Sequence, residues 1–226
     1  GLLRDRIDEK QREVHLLVDK AATKRRIMEL VAEELPRIEA PGDVVLVYFA
    51  CHGSPEMVNA PNRTSLYLIV HDTVFDRIFS TGIEMARELP EWLSRLQKAE
   101  LVLVVLDACF SGSAGGRTFE GPMLRRYYAG ARAPTVSLKE IDFGRGRLIM
   151  SAAGDNEPAQ ELDELKHGVF THCLLEALKR PAGEDKAVGV YSLYEKVATC
   201  VAARTARAQQ PTLTGWGVLP SFPLLG

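Results

Sequence analysis

Two apolar runs in this chain end the same way. VVLVYF, residues 44–49, leads into Ala-Cys-His-Gly-Ser, and LVLVVL, residues 101–106, leads into Asp-Ala-Cys-Phe-Ser-Gly. Neither run alternates between apolar and polar positions. A strand written that way is buried on both faces, as in a parallel sheet covered by helices. Such sheets place their sites in the crevice beyond the carboxyl ends of the strands. His52 and Cys109 each come just past such an end, so the two runs constrain both the fold and the chemistry it can carry.

The segments between supply helices. ATKRRIMELVAEELPRI puts Ile27, Leu30, Val31 and Leu35 on one stripe, with Thr23 as the N-cap. A second helix is expected near 83–98, capped by Thr81 and carrying Ile83, Met85, Leu89, Trp92, Leu93 and Leu96. Residues 167–180 and 191–208 read as two more. Further strands are expected at 12–20, 66–70 and 146–154, with at most one short edge strand in the proline-bearing tail GWGVLPSFPLL. The stretch 112–145, rich in Gly, Arg and Pro, reads as a long flexible loop. Strand and helix alternate along most of the chain. The expected fold is one domain over 1–226, an α/β three-layer sandwich (α/β/α) with a mostly parallel central sheet.

Composition removes several function classes. At 46% apolar, a chain of 226 residues can bury a real core. A net charge of −2 leaves no basic surplus for nucleic acid. No apolar run approaches the roughly 18–20 residues of a membrane span. The charged start GLLRDRIDEKQREV holds no signal-peptide apolar region. The four cysteines read as free thiols, which points to a reducing, cytoplasmic setting, with Cys51, Cys173 and Cys200 as inert core. There is no C-x-x-C or H-x3-H spacing, so no metal site is expected. A tyrosine-phosphatase loop would need Arg where Gly115 stands, and no G-x-S-x-G elbow surrounds Ser111 or Ser113. His71 and His172 read as structural.

What remains is the pair. If the two strands lie parallel and close, His52 and Cys109 share one cleft and form a thiolate–imidazolium nucleophile. The backbone N–H groups of Gly53 and Cys109 are then the natural donors to a developing oxyanion.

YFACHG and DACFSG resemble the histidine and cysteine motifs of the caspase–metacaspase superfamily of cysteine peptidases, and Cys109 follows His52 by 57 positions. LLVDKAATKRRIMELV resembles that family's second strand and first crossover helix. MSAAGDNEPAQE with HGVFTHCLLEAL resembles its substrate-binding strand, loop and following helix. The likeness spans about residues 14–205. It implies a caspase-like fold and a Cys–His dyad. It also implies that Ser151, Ala152 and Ala153 pair with an extended polypeptide substrate. No organic cofactor is implied. Calcium activation is known among such relatives, but no EF-hand loop is present here.

The chain departs from the caspase pattern in three places. Asp107 stands where caspases carry Gln, as in metacaspase-like members, and this implies preference for Arg, then Lys, before the scissile bond. Asp155 and Glu157 would add negative charge near that pocket. The family's first strand should precede HLLVD, yet only a short charged stretch does. Either it is lacking or another polypeptide segment supplies it. Ala50-Cys51 replaces the small residues usual before the histidine. A competing reading keeps the fold as a signalling or scaffold module of a larger assembly with little turnover. A thiol-dependent ligase would use the same dyad.

Overall fold

A computed structural model describes residues 12–55, 65–108, 138, 141–154, 168–179, 188–217 and 223–225. Its centre is a four-stranded sheet, in the order β1 (Val44–Ala50), β5 (Leu101–Asp107), β6 (Arg147–Ser151), β8 (Thr212–Trp216). β1, β5 and β6 run parallel and β8 runs antiparallel to β6. Every residue of β5 from Leu101 to Leu106 is buried, as its unbroken apolar run requires.

The two faces of β5 serve two cores. Val102, Val104 and Leu106 pack with Phe49 of β1 and with Ile27, Val31, Leu89, Trp92 and Leu93. Those last five belong to a helical layer made of α1 (Lys24–Glu29), a π-helical turn (Leu30–Glu34), α2 (Leu35–Ile38) and α4 (Glu88–Ser94). Leu101, Leu103 and Val105 pack on the other side, against α5 (Val169–Leu178) and α6 (Val190–Arg204), through Phe170, Leu174, Leu193 and Val197. This is the expected three-layer α/β/α arrangement with a mostly parallel sheet. Thr23 does cap α1, its side chain accepting the Arg26 N–H at 3.2 Å. The π-helical turn falls where Pro36 has no N–H to return to Ala32.

Elsewhere the sequence pattern misled. Residues 12–18 form no strand. Val14, Leu16 and Val18 alternate correctly for one, but they are 51%, 77% and 55% exposed and no strand among the described residues pairs with them. Residues 66–69 are a strand, β3 (Leu66–Ile69), but not in the main sheet. β3 pairs antiparallel with β2 (His52–Pro55) and with β4 (Ile83–Glu84) in a separate three-stranded sheet. Ile83 is therefore strand, not helix. Thr81 ends the short helix α3 (Ile78–Thr81) instead of starting a long one, and its hydroxyl accepts the Val74 N–H at 2.9 Å. The tail holds two strands. β8 closes the main sheet, and β9 (Pro223–Leu225) pairs with β7 (Val188–Gly189). β8 can come so close because residue 215 is glycine. Its φ is +122°, and a Cβ there would lie 2.1 Å from the Arg147 carbonyl oxygen.

The cysteines also need correcting. Cys173 of α5 and Cys200 of α6 form a disulfide, with Cα atoms 5.7 Å apart, so they are not free thiols. Only tertiary packing brings together two helix positions 27 residues apart in the chain. Cys51 is free. Among the described residues no helix is long and apolar enough to cross a membrane, and no cluster of three His, Cys, Asp or Glu could hold a metal ion.

Candidate active site

Three parallel strands end side by side. In register, Ala50 of β1 lies opposite Asp107 of β5, and Leu106 lies opposite Ser151 of β6. Both chemistry-bearing motifs leave the sheet at this edge. His52 follows Ala50 by two residues, and Cys109 follows Asp107 by two. Cys109, Asp155 and Glu157 lie outside the described residues, as does nearly all of the loop expected at 112–145. Covalent connectivity still keeps Cys109 within two residues of Asp107.

His52 is exposed and opens β2, opposite Ile69. Gly53 beside it is buried, opposite Leu68. The antiparallel sheet thus branches from the end of β1 and carries the histidine past the main sheet. Between Ala50 and His52, the Cys51 N–H reaches the Asp107 carbonyl at 3.4 Å. The Cys51 thiol is pushed up to about 12, first by burial and then by the charge of Asp107, with a hydrogen bond from the Ile69 backbone opposing. A thiol held neutral in this way is a poor nucleophile. Cys51 is therefore core, although it adjoins His52.

Asp107 is half-buried and lies on the α5 side of β5, sharing the parity of Leu103 and Val105. Its Oδ2 accepts a hydrogen bond from the Thr171 hydroxyl of α5. The Tyr48 hydroxyl lies 3.5 Å from the same oxygen and 2.5 Å from Thr171 Oγ1. Burial pushes the Tyr48 phenol up to about 12, so it keeps its proton at neutral pH.

The segment 151–153 is held from several sides. Ala152 N–H donates to the Leu106 carbonyl at 2.9 Å, and the Ala152 carbonyl accepts from Gln209 Nε2 at 2.7 Å. Ser151 Oγ donates to the Ala153 carbonyl at 3.1 Å. Gln209 is fully buried and sits just after Ala206 and Arg207, two non-glycine residues at φ 50° and 65°. Such strained positions persist only where the surroundings over-determine them. Arg147, at the opposite end of β6, lies far along the strand from this edge and donates to the Leu93, Leu96 and Arg145 carbonyls.

Sequence reasoning missed Tyr48, Thr171 and Gln209. A signal existed for two of them. Tyr48 is the one hydroxyl in an apolar strand, and Thr171 is a polar residue on the inward side of an apolar helix. Gln209 had none, since a glutamine after a helix reads as solvated surface.

Comparison with known proteins agrees with this architecture. A family model of the caspase domain matches residues 7–217. No curated protein matches the chain. Among solved structures, protein GSU0716 from Geobacter sulfurreducens is similar at a TM-score of 0.61, with 21% identity over 91% of this chain and 78% of that one. Caspase-1 from Spodoptera frugiperda superposes at a TM-score of 0.48, with 16% identity over 85% of this chain and 68% of that one. With the family match covering nearly the whole chain, this protein belongs to the caspase-domain family, a family of cysteine peptidases.

Proposed function

We propose that this protein is a cysteine endopeptidase that cuts polypeptides after Arg and, second, after Lys. The observation that supports it most is the register that ends β1 and β5 together, each two residues short of its reactive side chain. In this reading the Cys109 thiolate attacks the peptide carbonyl carbon. The carbonyl oxygen becomes an oxyanion held by the N–H groups of Gly53 and Cys109. The His52 imidazolium gives its proton to the leaving amine as the C–N bond breaks, and a thioester remains. His52 then takes a proton from water, whose hydroxide attacks the thioester. The product acid leaves and the thiolate returns. No cofactor takes part.

The substrate residue before the scissile bond faces Asp107, with Asp155 and Glu157 adding negative charge. A carboxylate there rewards a guanidinium and repels an acidic side chain. The extended substrate pairs along 151–153. Within that segment both backbone groups of Ala152 are already engaged in the fold, so Ala153 offers the substrate the most accessible backbone.

A second polypeptide contact is supported by β1. It is an edge strand whose Val44, Leu46 and Tyr48 are 36%, 36% and 40% exposed. We propose that an apolar strand from another polypeptide segment adds to this edge, which also keeps a scaffold role within a larger assembly in view. The Cys173–Cys200 bridge removes the free-thiol ground for a reducing, cytoplasmic setting, and alkylation of fresh lysate without reductant tests whether the bridge is formed in the cell.

The activity is tested by mass spectrometry of a peptide mixture incubated with the protein and with Cys109→Ala. The expected result is new termini after Arg and fewer after Lys, all absent with the variant. Cuts after Asp, or no cuts under conditions where the protein is folded, would overturn the reading.

A further inference from the structure

The carboxylate of Asp107 is gripped from two other elements. Thr171 stands on α5 and Tyr48 on β1, 64 and 59 positions away in the chain. The proton count fixes the direction of the grip. A carboxylate only accepts, so the single Thr171 hydroxyl proton goes to Asp107 Oδ2. Tyr48 must then supply the proton of its 2.5 Å contact with Thr171 Oγ1. The result is a directed chain, Tyr48 O–H to Thr171 O–H to Asp107 Oδ2. Chained hydrogen bonds of this kind polarise and strengthen one another.

Docking α5 on the sheet does not by itself call for such a chain. The neighbours of Thr171 on the inward side, Val169, Phe170, Cys173 and Leu174, are all buried and already pack there. What the hydroxyls change is the carboxylate. The terminal torsion of an aspartate is broad and two-fold, so an unheld carboxylate samples many planes. One fixed oxygen sets the plane. Each carboxylate oxygen accepts more than one hydrogen bond, so the bond from Thr171 does not by itself exhaust Oδ2.

A fixed plane matters unequally to the two basic side chains. A guanidinium is planar and forked, and it gains fully only from a carboxylate whose plane matches its own. An ammonium is a compact point charge that follows the carboxylate at many angles. We propose that Thr171 and Tyr48 are positioning residues that fix the plane of Asp107 and so set the preference for Arg over Lys. This rests on the reading above that Asp107 faces the residue before the scissile bond.

The test uses three fluorogenic substrates that differ only at that residue: Arg, Lys and norleucine, the last an uncharged analogue of Lys. Each is measured with wild type, Thr171→Val, Thr171→Ser and Tyr48→Phe, and folding of each variant is checked by melting. In Thr171→Val the Arg-to-Lys ratio of kcat/KM is expected to fall about tenfold, the effect of losing one charge-assisted hydrogen bond. The fall should lie in KM for Arg, with kcat and the Lys substrate little changed. Thr171→Ser should restore the ratio, and Tyr48→Phe should lower it by less. If Thr171→Val does not fold, Tyr48→Phe and Thr171→Ser carry the comparison. An Arg-to-Lys ratio unchanged in the variants, in a protein that does prefer basic residues over norleucine, overturns the positioning role alone. A wild type that does not prefer Arg and Lys over norleucine overturns the role assigned to Asp107, and this inference with it.

Discussion

Asp107 and Arg147 are opposite charges at opposite ends of adjoining strands, and their surroundings differ in kind. Arg147 opens β6 at the amino end of the parallel sheet. Its guanidinium donates to the Leu93 carbonyl from Nε at 3.2 Å and from Nη2 at 3.0 Å, to Leu96 at 2.9 Å and to Arg145 at 2.9 Å. These partners are backbone oxygens, and two of them close the end of α4. A cation there answers both the carbonyls at the helix end and the negative end of the helix dipole. Burial lowers the Arg147 pKa, with the charge of Glu39 opposing. Asp107 closes β5 at the carboxyl end, where the motif residues leave the sheet. The Thr171 hydroxyl of α5 donates to its carboxylate, and the Tyr48 hydroxyl of β1 stands behind that hydroxyl. Backbone partners are present in any sequence that forms the helix. Hydroxyl partners from two distant segments have to be specified one by one. The first environment serves the fold, and the second holds the side chain whose orientation is proposed above to set the preference for Arg over Lys.

That contrast can be broken at either end. The larger effect is expected at Asp107. Asp107→Ala should cut kcat/KM for an Arg substrate on the order of a thousandfold, the scale of removing one partner from a desolvated ion pair. It should leave the norleucine analogue nearly untouched. An Arg preference that survives Asp107→Ala would remove Asp107 from the pocket. The smaller effect is expected at Arg147. Arg147→Met keeps the apolar stem but removes the guanidinium donors and the charge at the helix end, and should lower the free energy of unfolding in urea by about 2 kcal/mol. The Arg-to-norleucine ratio should stay as in wild type. A shift in that ratio would show that the two ends of the sheet are not separate in function.

The same contrast explains what could be read from the sequence. The strands β1, β5 and β6 and the helices α5 and α6 were legible because each is a long apolar segment between clear stops. The caspase family was legible because its motifs sit on two of those strands. Val14, Leu16 and Val18 carry the alternation of a strand, but a strand needs a neighbour, and none of the described strands stands beside them. Ile83 reads as the first apolar position of a helix, yet pairing with Leu68 claims it for β4. The Cys173–Cys200 bridge and the Tyr48–Thr171–Asp107 chain depend on which helix packs where, and local patterns carry no record of that. His52 and Asp107 were found from the motifs, while the groups that hold Asp107 came only with the packing.

The proposed function turns on Cys109 being a thiolate activated by His52, and on Cys51, adjoining the same histidine in sequence, not being one. Alkylation with iodoacetamide at neutral pH, followed residue by residue by mass spectrometry, tests it directly. Cys109 should be labelled much faster than Cys51, whose thiol is pushed up to about 12, and His52→Ala should slow Cys109 while leaving Cys51 as it was. Equal labelling of the two cysteines, or a Cys109 rate indifferent to His52→Ala, would contradict the account.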